Sequence, residues 1–340
     1  MKVNGITTTF LMAALFAITA QAADYPQAQI SNGKIKAVIY LPDSKTGFYR
    51  GLRFDWAGVV KSLEFAGHSF YGPWFTGTDP TVRDFVFKDK DIIASSASAD
   101  SGPVEEFRGT LGFDTAKAGD TFIKIGVGVL RKPDDTAYSN YRIYEVVDGG
   151  KWTIDTTPTS VTFTQTIDAP AIGYGYVYTK RMRLADNSPQ LNIEHTLKNT
   201  GRLAINASVY DHNFLVLDGT PIGPGISVRV PYKIDSTRPP AAGTAEISGS
   251  EFHYLKKVEN EERVSGTLAG FGKTSSDYDF RIENTMAGAG VRITGDRPLA
   301  SASLWSIRSV MAVEPTVAVT AEPGADFSWK YTYDYFTIAK

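Results

Sequence analysis

The stretch VYDHNFLVLDG, residues 209–219, sets His212 between Asp211 and Asn213 inside an otherwise aromatic and aliphatic run. An imidazole with an ordinary pKa of about 6.5 can give or take a proton at neutral pH, so proton transfer is the chemistry to weigh. Only 4 histidines occur, at positions 68, 195, 212 and 253, and each can be judged by the face it shares. Counting by twos, His212 stands with Asn206, Ser208, Tyr210 and Phe214, while Ala207, Val209, Leu215 and Leu217 take the other face. That polar, aromatic face leaves a working role and a packing role both open. His195 of LNIEHTLKN shares its face with Leu191, Ile193 and Leu197, which predicts a buried, hydrogen-bonded core residue. His68, in the turn-like AGHSF, and His253, in an expected loop, read most simply as exposed.

Carboxylates supply the complementary base. Glu314 closes a β-like run just before Pro315 and falls on the face opposite Trp305, Ile307, Ser309, Met311 and Val313. Arg308 then shares the face of Glu314 but sits roughly 20 Å away along an extended chain, too far for a direct ion pair. It is a candidate for binding a substrate, as is Tyr210. The segment GPVEEFRGTLGFD places Glu105, Glu106 and Arg108 between glycines, where a loop can approach a ligand closely and mixed charges can hold sugar hydroxyls. A solvated loop fits that segment equally well. No Ser/His/Asp arrangement, phosphate loop or HExxH is present, and the histidines and acids lack metal-ligand spacing, so neither cofactor nor metal is expected.

These groups need elements to hold them, and from Ile30 onward the chain alternates strand and turn with little helical periodicity. TFIKIGVGVL alternates as one half-buried strand, YVYTKRMRL and QLNIEHTLKN read as two strands joined by ADNSPQ, and further runs include KIKAVIYL, SVTFTQTI, LWSIRSVMAV and FSWKYTYDYF. Only DTAKAGD could be helical, and DSTRPPAAGTAEISGSEFH is the best long surface loop. With no internal repeat and no long linker, the expected class is all-β: one large antiparallel sandwich over residues 23–340.

Composition bounds the partners. A net charge of -2 without any basic run argues against nucleic acid. The apolar FLMAALFAITA after Lys2, followed by Ala20 and Ala22, predicts an export signal over residues 1–22, too short to anchor the chain in a membrane. With Cys 0, disulfides and thiolate chemistry are excluded, which suits a protein exported to a bacterial periplasm or the cell exterior and held together by its core. The sequence leaves the oligomeric state open.

NIEHTLKNTGRLAINASVYDHNFLVLDG together with EPTVAVTAEPGADFSWKYTYDYF resembles the aldose 1-epimerase (galactose mutarotase) superfamily. In that family a strand of the type hxLxNTG leads to NHxYFNLxG, whose histidine is the general acid, and a catalytic glutamate lies in a later EP dipeptide before an RPGE turn. DHNFLVLDG and VEPTVAV with EPGADF are similar to these, and the early WAGVVKSLEFAGHSF is similar to the family's GAxVxSL strand. The resemblance implies a galactose mutarotase-type β-sandwich that binds a sugar or glycan, with Glu314 as base and His212 as acid facing each other across a gap that admits a ring atom. One family element is missing: the histidine of HGGxxGFD has no counterpart, and EFRGTLGFD offers Phe107 and Arg108 there instead. A guanidinium can donate hydrogen bonds but cannot exchange protons at neutral pH. Three outcomes therefore stand: ring opening and closure by Glu314 and His212, a non-catalytic carbohydrate-binding protein on the same fold, or another epimerase- or lyase-type reaction.

Overall fold

The computed structural model describes residues 25–339 together with Met1. The export signal expected over residues 1–22 lies, Met1 apart, outside the described residues.

Two sheets carry the architecture. The larger has ten strands in the order Lys151–Thr157, Ser160–Ala169, Tyr174–Leu184, Gln190–Asn199, Asp326–Thr337, Ala289–Gly295, Asp279–Asn284, Ile226–Arg229, Glu251–Tyr254 and Ala245–Ser248. The smaller has five, in the order Val264–Thr267, Ser301–Ile307, Val310–Ala321, Ile205–His212 and Val104–Arg108. Within both, every pairing is antiparallel. Alternation builds the interface: Leu191, Ile193, Leu197, Trp329, Tyr331 and Tyr333 of the large sheet form one core with Phe107, Val209, Leu304, Val313, Val317 and Val319 of the small one. Each such side chain contributes about 1.5–3 kcal/mol when fully removed from water. His195 is buried here as its face predicts, stacked on Trp329 with ring centroids 4.5 Å apart.

The small sheet is covered on its other face too. Tyr210, Phe214, Trp305, Ile307 and Val310 pack there with Phe54, Trp74, Phe122, Leu130 and Tyr144, drawn from the first half of the chain. Burial on both sides explains why the strand VMAVEPTVAVTA is apolar nearly throughout.

Several local readings change. TFIKIGVGVL is a hairpin, Thr121–Lys124 against Gly128–Arg131, because Gly126 takes a φ of 79° and turns the chain. LWSIRSVMAV is likewise two strands, Ser301–Ile307 and Val310–Ala321, with Arg308 and Ser309 at the turn. Alternation does not run through a turn, so Trp305 lies on the same face as Glu314, and Met311 and Val313 point into the inter-sheet core. DTAKAGD forms turns and no helix, and the loop expected over 235–253 ends early in the hairpin Ala245–Ser248 with Glu251–Tyr254, which carries His253. His253 pairs with Glu246 at 2.9 Å, and His68 is half-buried and bonded to Asp218 at 2.7 Å.

Candidate acid–base site

The register of the small sheet decides what meets what. The strands Ile205–His212 and Val310–Ala321 pair from Ile205 opposite Ala321 to Tyr210 opposite Thr316, and a bridge resumes at Leu215 opposite Met311. Pro315, which has no N–H to give a ladder, falls in the interruption. His212 and Glu314 sit in the same gap, opposite one another. Successive rows across the sheet face are Ser303, Glu314, His212 and Val104, and then Thr316, Tyr210 and Glu106.

His212 Nε2 lies 3.1 Å from Glu314 Oε1. Ser303 Oγ donates to the other oxygen, Oε2, at 3.0 Å. The imidazole stacks on Phe214 with centroids 3.7 Å apart and meets Phe54 and Trp305 edge-on at 5.9 and 6.0 Å. Its Nδ1 is closed to solvent without a hydrogen-bond partner. Burial, with Arg53 and Arg108 adding repulsion, holds His212 well below the ordinary histidine range. Burial raises Glu314, with Arg53 and Ser303 opposing. The two shifts favour the neutral form of each group. The gap expected for a ring atom is not there: the two groups touch directly, with Glu314 15% exposed and His212 5% exposed at the side chain.

Beside this pair, Tyr210 stands opposite Glu106. Arg53 Nε donates to Glu106 Oε2 at 2.9 Å and its Nη2 to Tyr210 Oη at 2.7 Å, while Lys124 Nζ lies 3.4 Å from Glu106 Oε1 and Asn140 donates to that oxygen at 3.1 Å. Burial alone would raise Glu106, but Lys124 and Arg53 keep it lowered. The exposed Arg108 guanidinium lies 4.3 Å over the Tyr210 ring. Tyr141 covers the outer side, its ring 5.1 Å from the Arg53 guanidinium and 5.6 Å from that of Arg83.

Of the candidates read from sequence, Glu106, Arg108, Tyr210, His212 and Glu314 therefore share one face. Two do not join them. Glu105 alternates with Glu106 and so points into the inter-sheet core, where it meets Lys180 at 2.6 Å and His195 at 2.8 Å. Arg308, at the hairpin turn, donates to the carbonyls of Asn260, Asp89, Lys90 and Asp91 at 2.7, 3.1, 2.8 and 3.3 Å, which holds two loops together. Arg53, Lys124, Asn140, Tyr141 and Ser303 escape a reading by motif, since they come from four separate segments. A buried charge must find an opposite partner, and Arg53 inside the apolar GLRFDWAG was the one visible hint. No group of His, Asp and Glu suited to a metal ion occurs among the described residues.

No family model and no curated protein matches the sequence. Solved structures do resemble it. The Slr1438 protein from Synechocystis sp. PCC 6803 shares 12% identity at a TM-score of 0.55, over 95% of this chain and 100% of that one. The GalM/aldose epimerase homologue from C. elegans shares 15% at 0.53, over 93% and 100%. A galactose mutarotase-like protein from Clostridium acetobutylicum shares 13% at 0.50, over 91% and 95%. At such identities the likeness is one of fold, and the chain has the antiparallel β-sandwich fold of the galactose mutarotase-like proteins.

Proposed function

We propose that this is an exported, periplasmic or secreted carbohydrate-active protein that opens and closes a sugar ring, with Glu314 as base and His212 as acid. The observation that carries this reading is the direct His212–Glu314 contact on the face of the small sheet, with Tyr210 and Trp305 beside it. Glu314 takes the proton of the anomeric hydroxyl as its oxygen becomes a carbonyl. The ring C–O bond breaks, and His212 protonates the departing ring oxygen; rotation about the C1–C2 bond and the reverse steps give the other anomer. Each proton transfer contributes about 10² to 10⁴-fold. For a sugar to enter, the imidazole and carboxylate must separate, and the sugar's two oxygens then stand between them.

Optical rotation of freshly dissolved α-anomers tests this, with the mature protein beside Glu314→Gln and His212→Asn. Wild-type acceleration that both variants lose supports the reading; a panel of free sugars on which wild type has no effect overturns it. The closed contact and the absence of a second histidine favour one alternative, a binding protein that holds a glycan without converting it. Glycan binding that survives in both variants, without any change in rotation, marks that case. Another epimerase- or lyase-type reaction uses the same pair and shows as a new product by NMR.

A further inference from the structure

The protein as a whole carries a net charge of -2, yet the face around His212 gathers Arg53, Lys124, Arg83 and Arg108 against Glu106, Asp84 and Glu314. Glu106 is contacted by both Arg53 and Lys124, so one carboxylate answers two positive groups. Asp84, 3.9 Å from Arg53, is the other carboxylate near that guanidinium, and Arg263 and Arg83 act on it as well. Arg108 has an aromatic support, the Tyr210 ring at 4.3 Å, and forms no ion pair among the described residues. Arg83 is exposed and lies over Tyr141, again without an ion pair among the described residues. An exposed guanidinium over a ring, with no ion-pair partner among the described residues, is free to receive a planar or tetrahedral oxyanion through two parallel hydrogen bonds.

The spacing fits a sugar. Val104 is opposite His212 and Arg108 opposite Ser208, so Arg108 stands four residues along the sheet from the acid–base pair. That is about 13 Å between backbone positions, a distance bridged by an extended arginine side chain and the width of one pyranose ring.

We propose that this face takes a sugar whose exocyclic carbon carries an oxyanion, a carboxylate or a phosphate, with Arg108 pairing that anion above the Tyr210 ring while the anomeric end meets Glu314 and His212. The proposal rests on the reading of this face as a sugar site and adds the substrate class. It also gives the missing family histidine a physical counterpart: the position near that motif carries a fixed positive charge where a neutral hexose has nothing to offer it. Arg53 and Arg108 repel a proton from His212. An anion seated on Arg108 cancels part of that repulsion, so the substrate itself brings the acid closer to its working form.

Calorimetric titration of the mature protein with D-galacturonate, D-glucuronate, galactose 6-phosphate, galactose and glucose tests the proposal, in low salt and in about 0.5 M salt. The anionic sugars are expected to bind at least about tenfold more tightly than their neutral parents. The margin shrinks in high salt, falls to within about twofold in Arg108→Gln, and is partly kept in Arg108→Lys, which retains the charge without the fork. Uronates alone binding tightly identify a carboxylate as the anion, and galactose 6-phosphate alone a phosphate. Neutral sugars binding equally well, or a preference that Arg108→Gln leaves intact while its melting temperature matches wild type, overturns the proposal and leaves the ring-opening reading standing. Failure of every sugar to bind overturns both.

Discussion

His212 and Glu314 touch where the ladder between their strands is interrupted beside Pro315: the register sets the two residues opposite one another, Nε2 to Oε1 at 3.1 Å. Around them the sheet is wrapped in aromatic rings on one side and a packed core on the other. The pair is thus set by register and desolvated by packing, and both effects enter its titration.

The first prediction follows from the opposed shifts. Catalysis needs Glu314 ionised and His212 protonated, while burial raises the carboxyl and lowers the imidazole. Activity then rises with pH through the raised Glu314 and falls through the lowered His212, a bell whose alkaline limb lies below the ordinary histidine value of about 6.5. Polarimetric kcat/KM against pH checks this; a rate still climbing above neutrality contradicts the assignment of His212 as acid.

Asp211 and Glu105, opposite each other on the reverse face, give the second. Burial and the Glu105 charge push Asp211 from 3.8 up to about 8, while the Tyr333 hydroxyl donates to its carboxyl and Asn213 to its backbone carbonyl. The folded protein therefore holds a proton that the unfolded chain releases near its lower value. Stability from this group is full below that value and is lost as pH rises through about 8. Asp211→Asn is expected to flatten the fall in melting temperature between mildly acidic and mildly alkaline solution; an unchanged slope refutes the assignment.

Lys180 is buried between Asp55, at 3.6 Å, and Glu105, at 2.6 Å. Lys180→Met leaves two buried carboxylates without their cation and is expected to cost about 3–5 kcal/mol in urea unfolding. In Lys180→Met combined with Glu105→Gln the loss is less than the sum of the two single losses, since the groups share one network.

Arg308 has a structural assignment that can be separated from sugar binding. Arg308→Ala removes the charged donor from four loop carbonyls and is expected to lower stability by about 1–3 kcal/mol. Sugar affinity measured below the melting temperature should stay within about twofold, the accuracy of such titrations. A tenfold loss of affinity without loss of stability would return Arg308 to the binding face.

Much of this was legible in one dimension. Period-two alternation marked the strands Gln190–Asn199 and Tyr174–Leu184 and sent His195 to the core, because on a strand the side-chain direction depends only on parity. The same rule placed Tyr210 and His212 together. It failed wherever a turn was hidden inside an apolar run, at Gly126 and at Arg308–Ser309, since parity resets across a hairpin and a turn of two or three residues leaves little trace in composition.

The sequence by itself determined the all-β class, the chemical types available and, where no turn interrupts a run, which residues share a strand face, all of which follow from local periodicity and side-chain chemistry. Only the tertiary structure decided that Glu314 meets His212, that Glu105 belongs to the core while Glu106 joins the candidate site, and that Arg53 and Lys124 converge on Glu106 from distant segments. The physical reason is that strand register and the pairing of buried charges are set by contacts between residues far apart in the chain, and no spacing along the chain encodes them.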